Sequence, residues 1–130
     1  WYPNIIVCNG WTSALVPYLI KKLSLVDKNL SKIKTIFLTD SLNKDLTFEF
    51  KNFFSDVETL NEIDALNLNQ LGCLYSDKTI IINNNKKISG KLMKTKIFKD
   101  SKTCSSVDLN DSDENYTPLL NEIKDAIKSL

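Results

Sequence analysis

The stretch Asn4-Ile5-Ile6-Val7-Cys8-Asn9-Gly10, running on into Trp11-Thr12-Ser13, decides the fold. Its apolar residues are continuous rather than alternating, and Asn-Gly ends the run. That pattern marks a strand buried on both faces, central and parallel in its sheet. Ala14, Leu15, Tyr18, Leu19, Lys22 and Leu23 then recur at helical spacing with an apolar stripe. Thr12 or Ser13 stands where a helix cap belongs. Pro17 either kinks a helix that starts at Thr12 or opens one that starts later. A buried strand, a tight turn and an amphipathic helix form the first part of a βαβ unit.

The rhythm continues outward. Thr35-Ile36-Phe37-Leu38-Thr39 reads as a second buried strand, with Asp40-Ser41 at the handover to the next element. Residues 42–54 fit two patterns. Leu46, Phe50, Phe53 and Phe54 suit a helix, whereas Leu46, Phe48 and Phe50 suit an alternating strand; the running βαβ order favours the helix. Val57 to Leu60 reads as a short strand. Asn61 caps a helix reaching Leu71, and Gly72 reads as the residue that ends it. Thr79 to Asn83 is a strand, Asn83 to Asn85 a turn, and Ile88 to Lys99 one or two returning strands. Residues 100–115 are polar and acidic and read as a loop. Thr117 caps the last helix, Pro118 is its first residue, and Leu119, Leu120, Ile123, Ile127 and Leu130 form its apolar face.

This order predicts one α/β domain over residues 1–130. It is a small three-layer, Rossmann-like sandwich with a mostly parallel sheet and a basic β-hairpin at one edge. The first residue is Trp1 and not methionine, so the chain reads as a fragment or processed part of a longer one.

Composition removes several chemistries. All 17 basic residues are lysine and histidine is absent. The chain therefore has no guanidinium fork for bidentate phosphate contacts and no imidazole that titrates near neutral pH. A serine or cysteine nucleophile would lack its usual base. Cys8, Cys73 and Cys104 form no paired zinc motif, so they read as free thiols in a reducing compartment. No apolar run approaches the ~20 residues that span a bilayer. The net charge of +1 gives no global polyanion signal. Nothing calls for a cofactor or a metal ion.

Two regions remain as candidate sites. The first is the rim beyond the carboxyl ends of the parallel strands, where open α/β sheets bind ligands. It holds Asn9, Gly10, Thr12 and Ser13 after the first strand and Asp40 after the second. The opening Ile-Ile-Val-Cys-Asn-Gly-Trp resembles the first strand and turn of Rossmann-like domains. It carries one glycine where a dinucleotide fingerprint needs three, and Trp11 obstructs a pyrophosphate. The second region is a basic tract. Residues 78–102 carry eight lysines and one acid, while residues 40–64 carry seven acids and two lysines. Lys91, Lys94, Lys96 and Lys99, together with Phe48, are candidate contacts to an acidic protein partner; lysines on an edge strand also block aggregation. Asp108 to Glu114 imitates part of a calcium loop but lacks its central glycine and closing glutamate.

The balance leans away from an enzyme. It favours a non-catalytic interaction domain, acting as a subunit, adaptor or assembly factor inside the cell, in cytoplasm or nucleus. A nucleotide- or small-molecule-binding or enzymatic domain with its site at Asn9–Ser13 is the alternative. Single-stranded nucleic-acid binding by the lysine tract is weaker, because that tract has neither arginine nor interleaved aromatics.

Overall fold

The computed structural model describes residues 1–40, 47–48, 66–83, 103–109 and 115–130. Strands β1 (Ile5–Asn9), β2 (Lys34–Thr39), β5 (Lys78–Asn83) and β6 (Cys104–Asp108) form a parallel sheet in that order. Strands β3 (Thr47–Phe48) and β4 (Leu66–Asn67) pair separately as a short antiparallel ribbon. Helices α1 (Leu15–Leu23), α2 (Leu68–Tyr75) and α3 (Thr117–Lys128) complete the described elements.

The strands are continuously apolar because both sheet faces are covered. On one face Cys8, Phe37 and Ile81 pack against Ala14 and Tyr18 of the α1 side and Leu68, Leu71 and Cys73 of α2. On the other, Ile36, Leu38, Ile80 and Val107 meet Ala126 of α3, with Leu119, Ile123 and Leu130 around it. The expected three-layer α/β architecture with a parallel sheet is therefore present. The interior strands are β2 and β5, not β1. Among the described residues β1 is an edge strand, and Val7 on it is half-exposed.

Several local expectations are corrected. Neither Thr12 nor Ser13 caps α1. Trp11–Ser13 is a 3-10 turn, Ala14 precedes the helix, and no side chain caps it. The Ser13 hydroxyl donates backward instead, to the Asn9 and Gly10 carbonyls at 3.0 and 3.1 Å. Pro17 is the third residue of α1, within the first turn, where no intrahelical amide is required. The segment Cys104–Asp108, expected as loop, is β6. Its register with β5 runs from Thr79↔Cys104 to Asn83↔Asp108, and the ladder of β5 supplies the order that its serines do not encode. Asn115 Oδ1 accepts the Thr117 amide at 3.0 Å, so α3 starts one residue earlier than expected and Pro118 is its second residue. The buried line of α3 runs through Leu119, Ile123, Ala126 and Leu130, leaving Leu120 and Ile127 exposed. The helix expected over residues 42–54 is strand at Thr47–Phe48. The rest of that segment, the strand at Val57–Leu60 and the basic hairpin lie outside the described residues.

Gly72 does not end its helix. It lies inside α2, buried, because α2 presses directly onto β2. A Cβ added there would come within 2.7 Å of the Phe37 Cζ atom, and Phe37 is fully buried with no room to retreat. Tyr18 and Tyr75 bridge α1 and α2 edge to face, with centroids 5.1 Å apart.

At the amino-terminal rim Asp77, just before β5, ties α1, β2 and β5 together. Its Oδ2 accepts the Thr35 amide at 2.8 Å and the Thr35 hydroxyl at 3.1 Å, while Oδ1 faces Lys21 at 3.2 Å. The Asp77 amide returns a bond to the Thr35 carbonyl at 3.0 Å. Burial opposes the charge, but the Thr35 amide and the Lys21 ammonium outweigh it and hold the carboxyl below its ordinary value.

Two outcomes follow. Gly72→Ala should destabilise the fold by about 1–3 kcal/mol through overpacking, and the smaller ring-free side chain of Phe37→Leu should relieve part of that loss in the double variant, read from urea midpoints. Asp77→Asn should cost about 1–3 kcal/mol at neutral pH. The stabilisation is complete above the unfolded carboxyl value of 3.8 and is lost as pH falls through the lower folded value. Stability curves of the parent and Asp77→Asn should therefore converge at the acid end.

Candidate functional site

Each strand of the parallel sheet ends in a polar residue at the same rim: Asn9 on β1, Thr39 on β2, Asn83 on β5 and Asp108 on β6. The apolar runs stop where the covering helices stop, and the chain turns polar as it reaches water. This is the rim at which open parallel sheets bind ligands.

The β1–α1 turn is built around Gly10. Its φ of 69° and ψ of 177° belong to a region that only glycine occupies freely. The Gly10 amide donates to the Leu38 carbonyl at 2.9 Å, pinning the turn to β2. The Ser13 and Ala14 amides then donate to the Gly10 and Trp11 carbonyls, each at 3.2 Å. Nothing lies within 4 Å of where a Gly10 side chain would stand. The turn is thus rigid in backbone and open above it.

Asn9, Trp11, Thr12 and Asp40 are exposed around this opening, and Ser13 is partly covered. In register Asn9 lies opposite Leu38, which brings Asp40 beside the turn. Asn9, Gly10, Thr12, Ser13 and Asp40 thus all lie at the carboxyl-terminal ends of β1 and β2. Lys91, Lys94, Lys96 and Lys99 lie outside the described residues, and for Phe48 only the backbone place in β3 is described.

Two rim residues escaped the sequence reading. Asn83 Nδ2 donates to Asp108 Oδ1 at 2.7 Å, joining the ends of β5 and β6. The strand-end rule that marked Asn9 applies equally to Asn83. Asp108 gave no such signal, because its strand reads as loop.

The remaining chemistry is subdued. Burial pushes the Cys104 thiol up to about 11. Burial, with the neighbouring Cys104, pushes the Cys73 thiol up to about 12. Cys8 is raised by burial as well. None of the three is a thiolate nucleophile at neutral pH. Among the described residues no group of three or more cysteines or carboxylates could hold a metal ion, and no helix is long and apolar enough to cross a membrane. A cavity of about 210 Å³ opens between the starts of β5 and β6 and the end of α3, walled by Lys78, Cys104, Glu122 and Asp125. It lies at the opposite rim from the turn.

Residues 1–86 match the family described as the starch synthase catalytic domain, 86 of the 130 residues. The glycogen synthase of Chlorobium chlorochromatii (strain CaD3) is 34% identical over 53 residues, which is 41% of this chain and 11% of that protein. The aligned stretch thus spans about a tenth of that relative's length. No solved structure matches the chain. These findings overturn the expected non-catalytic subunit or adaptor, whose argument rested on missing catalytic groups, the split surface charge and spare aromatic residues. The matched residues run from β1 through β5 and include Asn9, Gly10, Thr12, Ser13, Asp40 and Asn83 but not Asp108, and the chain belongs to the starch synthase catalytic domain family.

Proposed function

We propose that this chain supplies one wall of the sugar-binding cleft of a glycosyltransferase that builds a glycogen- or starch-type glucan. The observation that carries the reading is the coincidence of the family match with the polar rim of β1 and β2. Asn9 and Thr12 offer exposed donors and acceptors for sugar hydroxyls, and Asp40 offers a carboxylate acceptor. Gly10 lets a ligand approach the backbone, because the space over it is open. The Ser13 hydroxyl positions the turn rather than the ligand, being spent on the Asn9 and Gly10 carbonyls. An intracellular site of action accords with the free thiols of Cys8, Cys73 and Cys104.

Affinity electrophoresis tests this reading. The purified chain should be retarded in native gels containing glycogen or soluble starch. A paired Asn9→Ala, Thr12→Ala variant should lose about tenfold in affinity, the effect of about 1.4 kcal/mol of lost hydrogen bonding. Equal mobility of the parent chain with and without either glucan would remove the proposal.

A further inference from the structure

Helix α1 is apolar on two sides. Tyr18 and Ile20 are buried, whereas Leu19 and Leu23, one turn apart, are exposed at 46% and 50%. Beyond the helix Leu25 and Val26 are exposed at 80% and 84%. Single exposed aliphatics are ordinary on a protein surface; four in one short segment mark a contact surface. The segment is also tightly wound. The Ser24 amide donates to the Ile20 carbonyl at 2.9 Å, and the Val26 and Asp27 amides donate to the Leu23 carbonyl at 3.0 and 2.9 Å. Asp27 accepts the Asn29 amide at 2.8 Å and the Tyr2 hydroxyl at 3.4 Å. The winding of α1 thus runs on into the turn, and the spacing of Leu19, Leu23 and Val26 keeps them on one side. Leu25 stands at the tip. Tyr2 precedes β1, so the tip lies at the amino-terminal rim of the sheet.

The charge around this ridge is mostly of one sign. Residues 21–34 carry five lysines and a single acid, Asp27. Asp27 is turned to the Asn29 amide and the Tyr2 hydroxyl. Lys21 and Lys34 face Asp77 at 3.2 and 3.7 Å and keep their stems about half in water. Lys28 and Lys32 are exposed, and the 3-10 turn Leu30–Lys32 lies against α1. An aliphatic knob with a basic surround suits a negatively charged surface that yields to it. A protein partner would need a socket cut to the knob. The headgroup boundary of a bilayer takes aliphatic tips without a preformed socket, while lysine stems lie along its apolar edge and their ammonium heads reach acidic headgroups.

We propose that the ridge from Leu19 to Val26 is a docking surface for an anionic lipid bilayer. Leu25 and Val26 enter the headgroup region, and Lys28 and Lys32 meet the acidic headgroups. The β1–α1 turn stands at the opposite end of α1, so a docked chain keeps its carboxyl-terminal rim away from the lipid.

Co-sedimentation with vesicles provides the test. The chain should pellet with phosphatidylcholine vesicles that contain about a third phosphatidylserine, and far less with phosphatidylcholine alone. High salt should release it. Leu25→Ser combined with Val26→Ser should lower the partition coefficient about tenfold, and Lys28→Gln combined with Lys32→Gln should do the same on the acidic vesicles. The melting temperatures of both variants should match the parent, because all four side chains are exposed. A parent that stays in the supernatant with acidic vesicles overturns the proposal. So does a Leu25→Ser, Val26→Ser variant that pellets as well as the parent. Equal pelleting with neutral and acidic vesicles overturns the choice of an anionic surface. Sedimentation equilibrium without lipid covers the rival occupant: a parent dimer that the Leu25→Ser, Val26→Ser variant splits into monomers assigns the ridge to a second copy of the chain and overturns the bilayer.

Discussion

The structure depends on β2 being buried on both faces. Phe37 points to α1 and α2, while Ile36 and Leu38 point to the α3 side, and all three are buried. A strand in that position cannot tolerate an unpaired backbone, so it needs partners on both edges; β1 and β5 provide them, both parallel to it. Parallel pairing requires a crossover between strands; α1 and α2, on the connections between β1, β2 and β5, cover one face, and α3, after β6, covers the other. The demand of one apolar pentapeptide for dry surroundings therefore sets the direction of its neighbours and the placement of two helices. Gly72 shows how closely this is satisfied. Only a residue without a side chain lets α2 lie against the Phe37 ring.

The two rims of the sheet divide the labour. At the amino-terminal rim the Asp77 carboxylate is held by an amide, a hydroxyl and a lysine, which lock β2, β5 and α1 to one another. At the carboxyl-terminal rim the polar groups around the β1–α1 turn point to water and are not consumed by such a lock. The hydroxyl of Ser13 is the exception, and it serves the turn's own shape. At the same rim the Asn83 side-chain amide donates to Asp108 and joins the ends of β5 and β6.

The described residues offer little reactive chemistry. No thiol is activated, and no described cluster of ligands calls a metal. The functional expectation drew on missing catalytic groups, the split surface charge and spare aromatic residues, and the family match overturns it.

The strands β1, β2 and β5, the helices α1 and α3, and the parallel α/β order were legible in the sequence. Each carries its own apolar period, and burial on both faces leaves continuous runs that chance rarely imitates. The position of Asn9, Gly10, Thr12, Ser13 and Asp40 at the carboxyl ends of β1 and β2 was legible by the same logic, since the ends of such runs mark the strand ends. Three things were not legible. β6 has a single buried apolar side chain, Val107, and exists because β5 offers it a free edge. The alternation of Leu46, Phe48 and Phe50 allowed a strand as well as a helix, and at Thr47–Phe48 the choice was made by pairing with Leu66–Asn67, a partner distant in the chain. Gly72 looked like a helix end, because glycine's local preference and its use in close packing leave the same letter in the chain. Local periodicity is written residue by residue, whereas edge pairing and close approach depend on which segment arrives alongside, and only the folded chain decides that.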